Sequence, residues 1–416
     1  MKQKTRYWLT LIAIGYCGGT IWTLPYIRYV FYDQMIQTMN ITNTQVGLLG
    51  TVFSAVAIVR NIPGAYLSDK FDAKKIVVFA VGSMTLCTFL YSFFITSYTF
   101  ALVIWGLMAI ATTGYWASLV KYINNMGSAD ESGKSFGTYY FINGLSGVLA
   151  NSIPLAVGMR FGFRAAVITV GVMTLLATIL IILCLEDEKQ LAARGVSLKG
   201  DEPIRLKYIP CVLKWPGTYI IFFAYFTTYT LYGNVSYFNP YLIDVIGINP
   251  NASSIYSVIR TYGAMLIAPV GGIMADKVFK STSKWYIVAF SIIAAMFAVV
   301  FLFGPDSNQT LVCIYSVLPA IVVMALYSVT YSILRELHIN PIVAGTCIGL
   351  GSCSGNIVDA MWGPLFGSFI DRYGNQGYTY IFAMLIGVCF LGIANAFWAR
   401  SHDRKCREGK RVMRVG

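Results

Sequence analysis

Uninterrupted apolar runs recur along this chain from Trp8 to Trp398. Each is roughly twenty residues long, enough to cross roughly 30 Å of hydrocarbon as a helix. Twelve runs can be counted, centred near residues 19, 56, 86, 110, 146, 175, 229, 265, 294, 321, 358 and 389. Gly and Pro fall inside them and no ten-residue alternating segments occur, so the pattern predicts a helical bundle and not a membrane β-barrel. The longest polar stretch, 186–215, divides the runs six and six. The expected architecture is an all-α membrane protein of twelve transmembrane helices in two pseudo-symmetric bundles. These would cover residues 1–185 and 216–400, with a cytoplasmic linker over 186–215 and a basic cytoplasmic tail over 401–416.

Composition supports this picture. Apolar residues make up 57% of the chain and charged residues 12%, about half the charge of a typical soluble domain. That excludes a soluble globular enzyme, and the residues outside the runs leave no room for a catalytic domain. The first run lacks a small-residue cleavage site and is longer than a signal-peptide core, so it is expected to be retained.

The formal charge of +13 raises the question of a nucleic-acid partner, and the placement of the charges answers it. With both termini inside, 25 of the 31 Lys and Arg residues fall on inner segments, and only Arg160, Arg164 and Arg372 fall on outer ones. The positive-inside rule therefore accounts for the charge and sets the expected orientation in the cytoplasmic membrane. Anionic lipid is a further possible contact for the basic tail. The nine cysteines show no C-x-x-C or zinc-type spacing and are expected to pack as small apolar residues, without a disulfide framework or metal site.

One short pattern occurs twice. Gly64-Ala-Tyr-Leu-Ser-Asp69-Lys70, followed by Lys74 and Lys75, reappears as Gly271-Gly272-Ile-Met-Ala-Asp276-Lys277, half a chain later. Duplicated six-helix halves are a trace of transporters built from repeats. Each copy puts Gly where helices approach closely and then an Asp-Lys pair in a tight turn. Asp69, Lys70, Asp276 and Lys277 are thus the candidate gating residues, and Arg60 nearby is either a gating contact or a plain interface anchor.

These copies resemble the inner-loop signature of the major facilitator superfamily, with Lys70 and Lys277 in the usual Arg position and Asp72 in place of the usual Gly. Gly114-Tyr-Trp-Ala-Ser-Leu-Val-Lys121 with Glu131-Ser-Gly133-Lys134-Ser-Phe-Gly137 is similar to the segment joining spans four and five in the organic-anion and sugar-phosphate branches. The start, Arg6-Tyr-Trp8 through Gly18-Gly19 to Tyr26-Ile-Arg28-Tyr29, resembles a group of bacterial inner-membrane permeases in those branches. The resemblance implies alternation between outward- and inward-open forms. It also implies a substrate-binding Arg late in the first helix, where Arg28 stands. The second binding Arg of the sugar-phosphate branch lies in span seven, whereas here the candidate is in span eight.

Four charges cannot easily reach an interface: Arg28, Arg60, Arg260 and Asp359. A charge at mid-bilayer costs at least about 2.5 to 3.5 kcal/mol on insertion scales, so each is a functional candidate by default. Asp359, mid-way along span eleven, is the one acid at that depth. A carboxylate that meets water, Arg and substrate by turns can gain and lose a proton, which is what coupling to a proton gradient requires; a static pair holding two helices is the structural alternative. Arg260 suits bidentate binding of a carboxylate or phosphate, or pairing with Asp359. Arg28 is either a substrate ligand or an anchor at the outer boundary. Tyr26, Tyr29 and Tyr232 are the phenols expected to line the cavity, because spans one and seven hold equivalent places in the superfamily fold and a phenol can bond an oxygen-rich ligand. Asn143 and Asn356 open small-residue patches in spans five and eleven.

No phosphate-loop, zinc-protease, nucleophile-elbow or dinucleotide signature is present, so neither an enzyme nor an ATP-driven pump is expected and no cofactor is implied. The expected function is secondary active transport of a small organic anion, such as a sugar acid or sugar phosphate, coupled to protons or a counter-anion, by a monomer. Proton-driven efflux of amphipathic compounds and a non-transporting sensor or channel are the rivals.

Overall fold

A computed structural model of the chain describes residues 3–125, 132–192, 209–339, 341–411 and 413. The chain divides into two compact units, Met1–Ile41 with Leu48–Pro203, and Thr42–Gly47 with Ile204–Gly416. All regular structure among the described residues is helical.

The first unit holds α1 (Gln3–Ile21), α2 (Arg28–Met39), most of α3 (Asn43–Lys70), α4 (Ala73–Phe93), α5 (Tyr98–Ala111), α6 (Tyr115–Asn125), α7 (Ser132–Phe161), α8 (Phe163–Cys184) and the short α9 (Glu188–Ala192). The second unit holds α10 (Ile209–Lys214), α11 (Pro216–Asn234), α12 (Phe238–Asp244), α13 (Pro250–Thr261) and α14 (Ala268–Ile273). It continues with α15 (Thr282–Val299), α16 (Gln309–Tyr315), α17 (Val317–Tyr327), α18 (Pro341–Tyr373) and α19 (Gln376–Arg407). Every predicted run centre lies in a helix, with residue 265 in the 3-10 turn Gly263–Ile267. Among the described residues eight helical segments are long and apolar enough to span a membrane, or nine with one bent pair.

Internal packing repeats from one unit to the other. In the first, α1 packs on α7 and α8, and α4 on α8; in the second, α11 packs on α18 and α19, and α15 on α19. Threonines at such contacts satisfy their hydroxyls on the preceding turn or across the interface, as Thr85 of α4 and Thr178 of α8 do at 3.1 Å; Thr228 of α11 does the same with Thr330, in the 3-10 turn Thr330–Glu336, at 3.0 Å. This is how polar groups are tolerated where there is no water.

The doubled glycine has a physical reason in each unit. A Cβ on Gly64 would sit 2.9 Å from the amide nitrogen of Gly114, and one on Gly271 would collide with the carbonyl oxygen of Ala325. Gly272, by contrast, faces open space, so Gly271 is the counterpart of Gly64. Asp72 is explained as well. It is the N-cap of α4, its side chain accepting from the amides of Lys74 and Lys75 at 2.8 and 3.3 Å. The last helix runs on to Arg407, so the first part of the expected tail, 401–407, is helical.

Candidate functional site

In the second unit, the eighth predicted span is not one continuous helix. α13 ends at Thr261, a 3-10 turn follows, α14 is six residues long, and Met274–Val278 form a π turn. Arg260 sits in the last turn of α13, where the carbonyl end of a helix favours a cation by a few tenths to about 1 kcal/mol. Its side chain is 1% exposed. Nη1 donates to Ser316 Oγ at 3.0 Å, and Ser316 spends its own proton on the Cys313 carbonyl. The guanidinium carbon lies 5.6 Å from the Phe238 ring centre. Nε and Nη2 are buried with no hydrogen-bond partner among the described residues. Asp359 is not among these contacts, so of the two expectations for Arg260 the ion pair is not formed.

Asp359, 7% exposed, lies instead beside a column of tyrosines. Tyr229 donates to its Oδ2 at 2.9 Å. Tyr225 stacks on Tyr229 and on Tyr331, each with ring centres 5.4 Å apart, and Tyr232 stacks on Tyr327 at 4.6 Å. The hydroxyls of Tyr225 and Tyr327 are 3.4 Å apart. Tyr232 was expected from sequence, whereas Tyr225 and Tyr327 were not singled out. Their signal is periodic: Tyr225, Tyr229 and Tyr232 stand at i, i+4 and i+7 on α11, and Tyr327 and Tyr331 are again four apart, one helical face each. Ser316 carried no such signal, because it reaches Arg260 from a different helix. Asn356 is half-buried and has no hydrogen-bond partner among the described residues.

In the first unit, Arg28 opens α2 with its guanidinium carbon 5.4 Å from the Tyr29 ring centre. Tyr26 stacks on Tyr29 at 5.5 Å and meets Phe53 edge-on at 6.3 Å; Trp22 packs on Phe53 and Tyr115. Arg28, Tyr26 and Tyr29 are therefore brought together. Asn143 donates to the Tyr139 hydroxyl at 3.0 Å, beside Gly18. Arg60 gives Nη1 to Thr112 Oγ1 at 2.5 Å and lies 5.9 Å from the Phe53 ring centre. It lines an apolar groove of about 950 Å³ with Val56, Val59, Pro63 and Phe79.

Of the gating candidates, Lys70 is exposed at the end of α3 beside Phe71, and Asp276 and Lys277 lie in the π turn after α14. The side chain of Asp69 lies outside the described residues.

A model of the Major Facilitator Superfamily matches residues 9–357, and the chain belongs to that superfamily. It is an all-α, multi-pass membrane transporter with the twelve-helix fold of the group. It is 25% identical to the inner membrane protein YihN of Escherichia coli over 397 residues, 92% of this chain and 93% of that one. It is 25% identical to the inner membrane protein YqcE of the same organism over 405 residues, 94% of each. Among solved structures it is similar to a bacterial homologue of the human lysosomal transporter Spinster, with a TM-score of 0.72, 16% identity and 98% of each chain covered. It is also similar to the nucleoside transporter NupG, with a TM-score of 0.69 and 15% identity, covering 97% of this chain and 99% of that one.

Proposed function

We propose that the protein is a secondary active transporter for a small organic anion, a sugar acid, sugar phosphate or other carboxylate, in the cytoplasmic membrane. The observation that carries this reading is Arg260: a guanidinium removed from solvent with two nitrogens unanswered. An uncompensated buried charge is expensive, and a carboxylate or phosphate oxygen on Nε and Nη2 would remove that expense. Because the group is fully enclosed here, the anion enters when the ends of α13 and α16 part. Arg28, with Tyr26 and Tyr29 stacked beside it, is the second anion ligand on this reading. Asp359 is the proton carrier, held at one oxygen by Tyr229. Asn143, Asn356 and Tyr232 contribute polar contacts, while Arg60, Asp69, Lys70, Asp276 and Lys277 act in gating. The transporter works as a monomer and needs no cofactor.

One observation favours a second reading. A carboxylate among stacked phenols is chemistry suited to an amphipathic cation, and would fit proton-driven efflux. Proteoliposome uptake and counterflow with candidate sugar acids, sugar phosphates and hydrophobic cations, each with and without a proton gradient, separate the two. Saturable anion uptake lost in Arg260→Gln is the expected result. Cation exchange lost in Asp359→Asn, with no anion moved by the folded wild type, overturns the anion reading.

A further inference from the structure

Away from Arg260, the second unit has a cavity of about 1250 Å³ where the π turn Met274–Val278, the start of α15 and the end of α19 meet. Its lining is dense in charge of both signs, and the two signs are not in the same condition. Glu336 is consumed by the start of α15: its Oε1 accepts from the amides of Thr282 and Ser283 and from the Ser281 hydroxyl, at 2.5, 3.3 and 3.0 Å. Asp403 is held by His338 at 2.8 Å and Arg407 at 3.0 Å, and Glu408 by Lys410 at 2.6 Å. Asp276 is engaged as well. The cations Lys280, Lys284, Arg400 and Arg404 line the same space, and their side chains have no partner among the described residues.

We propose that this cavity binds a phosphate-bearing anion, with Lys280 and Lys284 on one wall and Arg400 and Arg404 on the other. Arg407 and Lys410 offset the charges of Asp403 and Glu408, whereas Glu336 and Asp276 keep theirs, so Lys280, Lys284, Arg400 and Arg404 outnumber the remaining acids and a positive surplus acts on whatever enters. Two arginines four apart on α19 present their forks along one helix face, as bidentate recognition of phosphate oxygens needs. Lys280, held at φ 51, stands only four residues past Asp276, so an occupant would touch the loop that carries the second copy of the repeated pattern. A phosphate has two sources here. One is a phospholipid headgroup: the apolar run of α19 ends at Trp398, two residues before Arg400, and Phe397, 52% exposed, lines the same cavity. The other is a soluble phosphate. The proposal stands apart from the transport reading, since neither Arg260 nor Asp359 enters it.

The test uses the full chain. In nanodiscs of phosphatidylcholine with and without phosphatidylglycerol, retained lipid is counted by native mass spectrometry and unfolding followed by temperature. In detergent, inorganic phosphate is titrated against chloride at equal ionic strength. The Lys284→Gln/Arg404→Gln variant should weaken binding about fivefold per cation removed, while Lys284→Arg/Arg404→Lys and the distant Lys214→Gln retain it. A response to phosphatidylglycerol alone, lost in the double Gln variant, assigns the lipid; a response to inorganic phosphate, lost in the same variant, assigns the soluble ion. No response to either, or an equal response in wild type and the double Gln variant, overturns the proposal. Retained binding in the charge-conserving pair separates a missing site from a misfolded one.

Discussion

Arg60 and Arg260 are both cations set in apolar sequence, one in each unit, and their surroundings differ. Arg60 lies half-buried along a groove, bonded to Thr112. Arg260 is sealed in with one serine hydroxyl for company. Arg60 also keeps Nε buried without a partner among the described residues, but its side chain borders an open groove, whereas Arg260 is enclosed with two such nitrogens. Arg260 has no exit, and evolution rarely keeps such a group for stability, because a well-packed apolar residue of similar volume would do at least as well. The two arginines thus differ in enclosure, which residue type and depth in the sequence could not show.

The strongest way to break that comparison is to replace each arginine by methionine. We expect Arg260→Met to lower anion uptake by about 100-fold or more, the loss of a buried charge-assisted contact worth about 3 kcal/mol. Its thermal stability should hold or rise, since an uncompensated charge has been removed. Arg60→Met should keep uptake within a few-fold. A collapse of folding in Arg260→Met would mean the guanidinium serves structure.

The repeated glycines sharpen the comparison at the level of packing. Gly271→Ala meets a backbone carbonyl head-on and is expected to destabilise the protein by about 3 kcal/mol; Gly64→Ala, with a longer approach, by about 1 kcal/mol. Denaturation midpoints of the two variants in the same detergent give the order, and an inverted order would refute it.

Smaller effects are expected at the tyrosine column. Tyr229→Phe removes a phenol that donates to Asp359 and should reduce proton-driven uptake several-fold, about 1 kcal/mol. Tyr225→Phe, which loses only a bond to another phenol, should do less. Equal rates under a proton gradient for both variants would show that the contact to Asp359 is idle.

The smallest effect concerns Asp371. α18 has 33 residues, about 50 Å, against roughly 30 Å of hydrocarbon, so its end reaches the aqueous boundary. There Asp371 accepts from the amides of Asn43 and Thr44 at 3.0 and 2.8 Å and from their side chains at 2.8 and 2.6 Å. Partial burial pushes its carboxyl up, but these four donors outweigh it and hold the group below the usual carboxylate range. The folded value is the lower one, so the contribution is present above about pH 4 and fades as pH falls through the depressed value. Solvent exposure limits it to about 0.5 kcal/mol. Asp371→Asn should therefore lower the unfolding temperature slightly at neutral pH and make no difference in strong acid; an unchanged neutral value would remove the contact from the account.

The fold was legible because hydrocarbon is an undemanding reader: run length and the absence of charge suffice, and all twelve centres fall in helices. The doubled Gly–Asp pattern was legible for the same kind of reason, since backbone crowding admits one residue type. What the sequence left open was pairing. Arg260 and Asp359 looked like partners because they are opposite charges at similar depth, but side-chain partners come from neighbouring helices, and sequence depth says nothing about azimuth. Tyr225 and Tyr327 went unremarked in a chain with 28 tyrosines, although their spacing to Tyr229 and Tyr331 held the clue.

The stacked phenols also give the molecule an optical readout of its own. A tyrosine bonded to a carboxylate absorbs and emits differently from one bonded to a carboxylic acid, so the proton exchange proposed for Asp359 would register in the ultraviolet spectrum of Tyr229. Difference spectra between wild type and Tyr229→Phe would let a turnover cycle be followed in real time, without a dye or a labelled cargo.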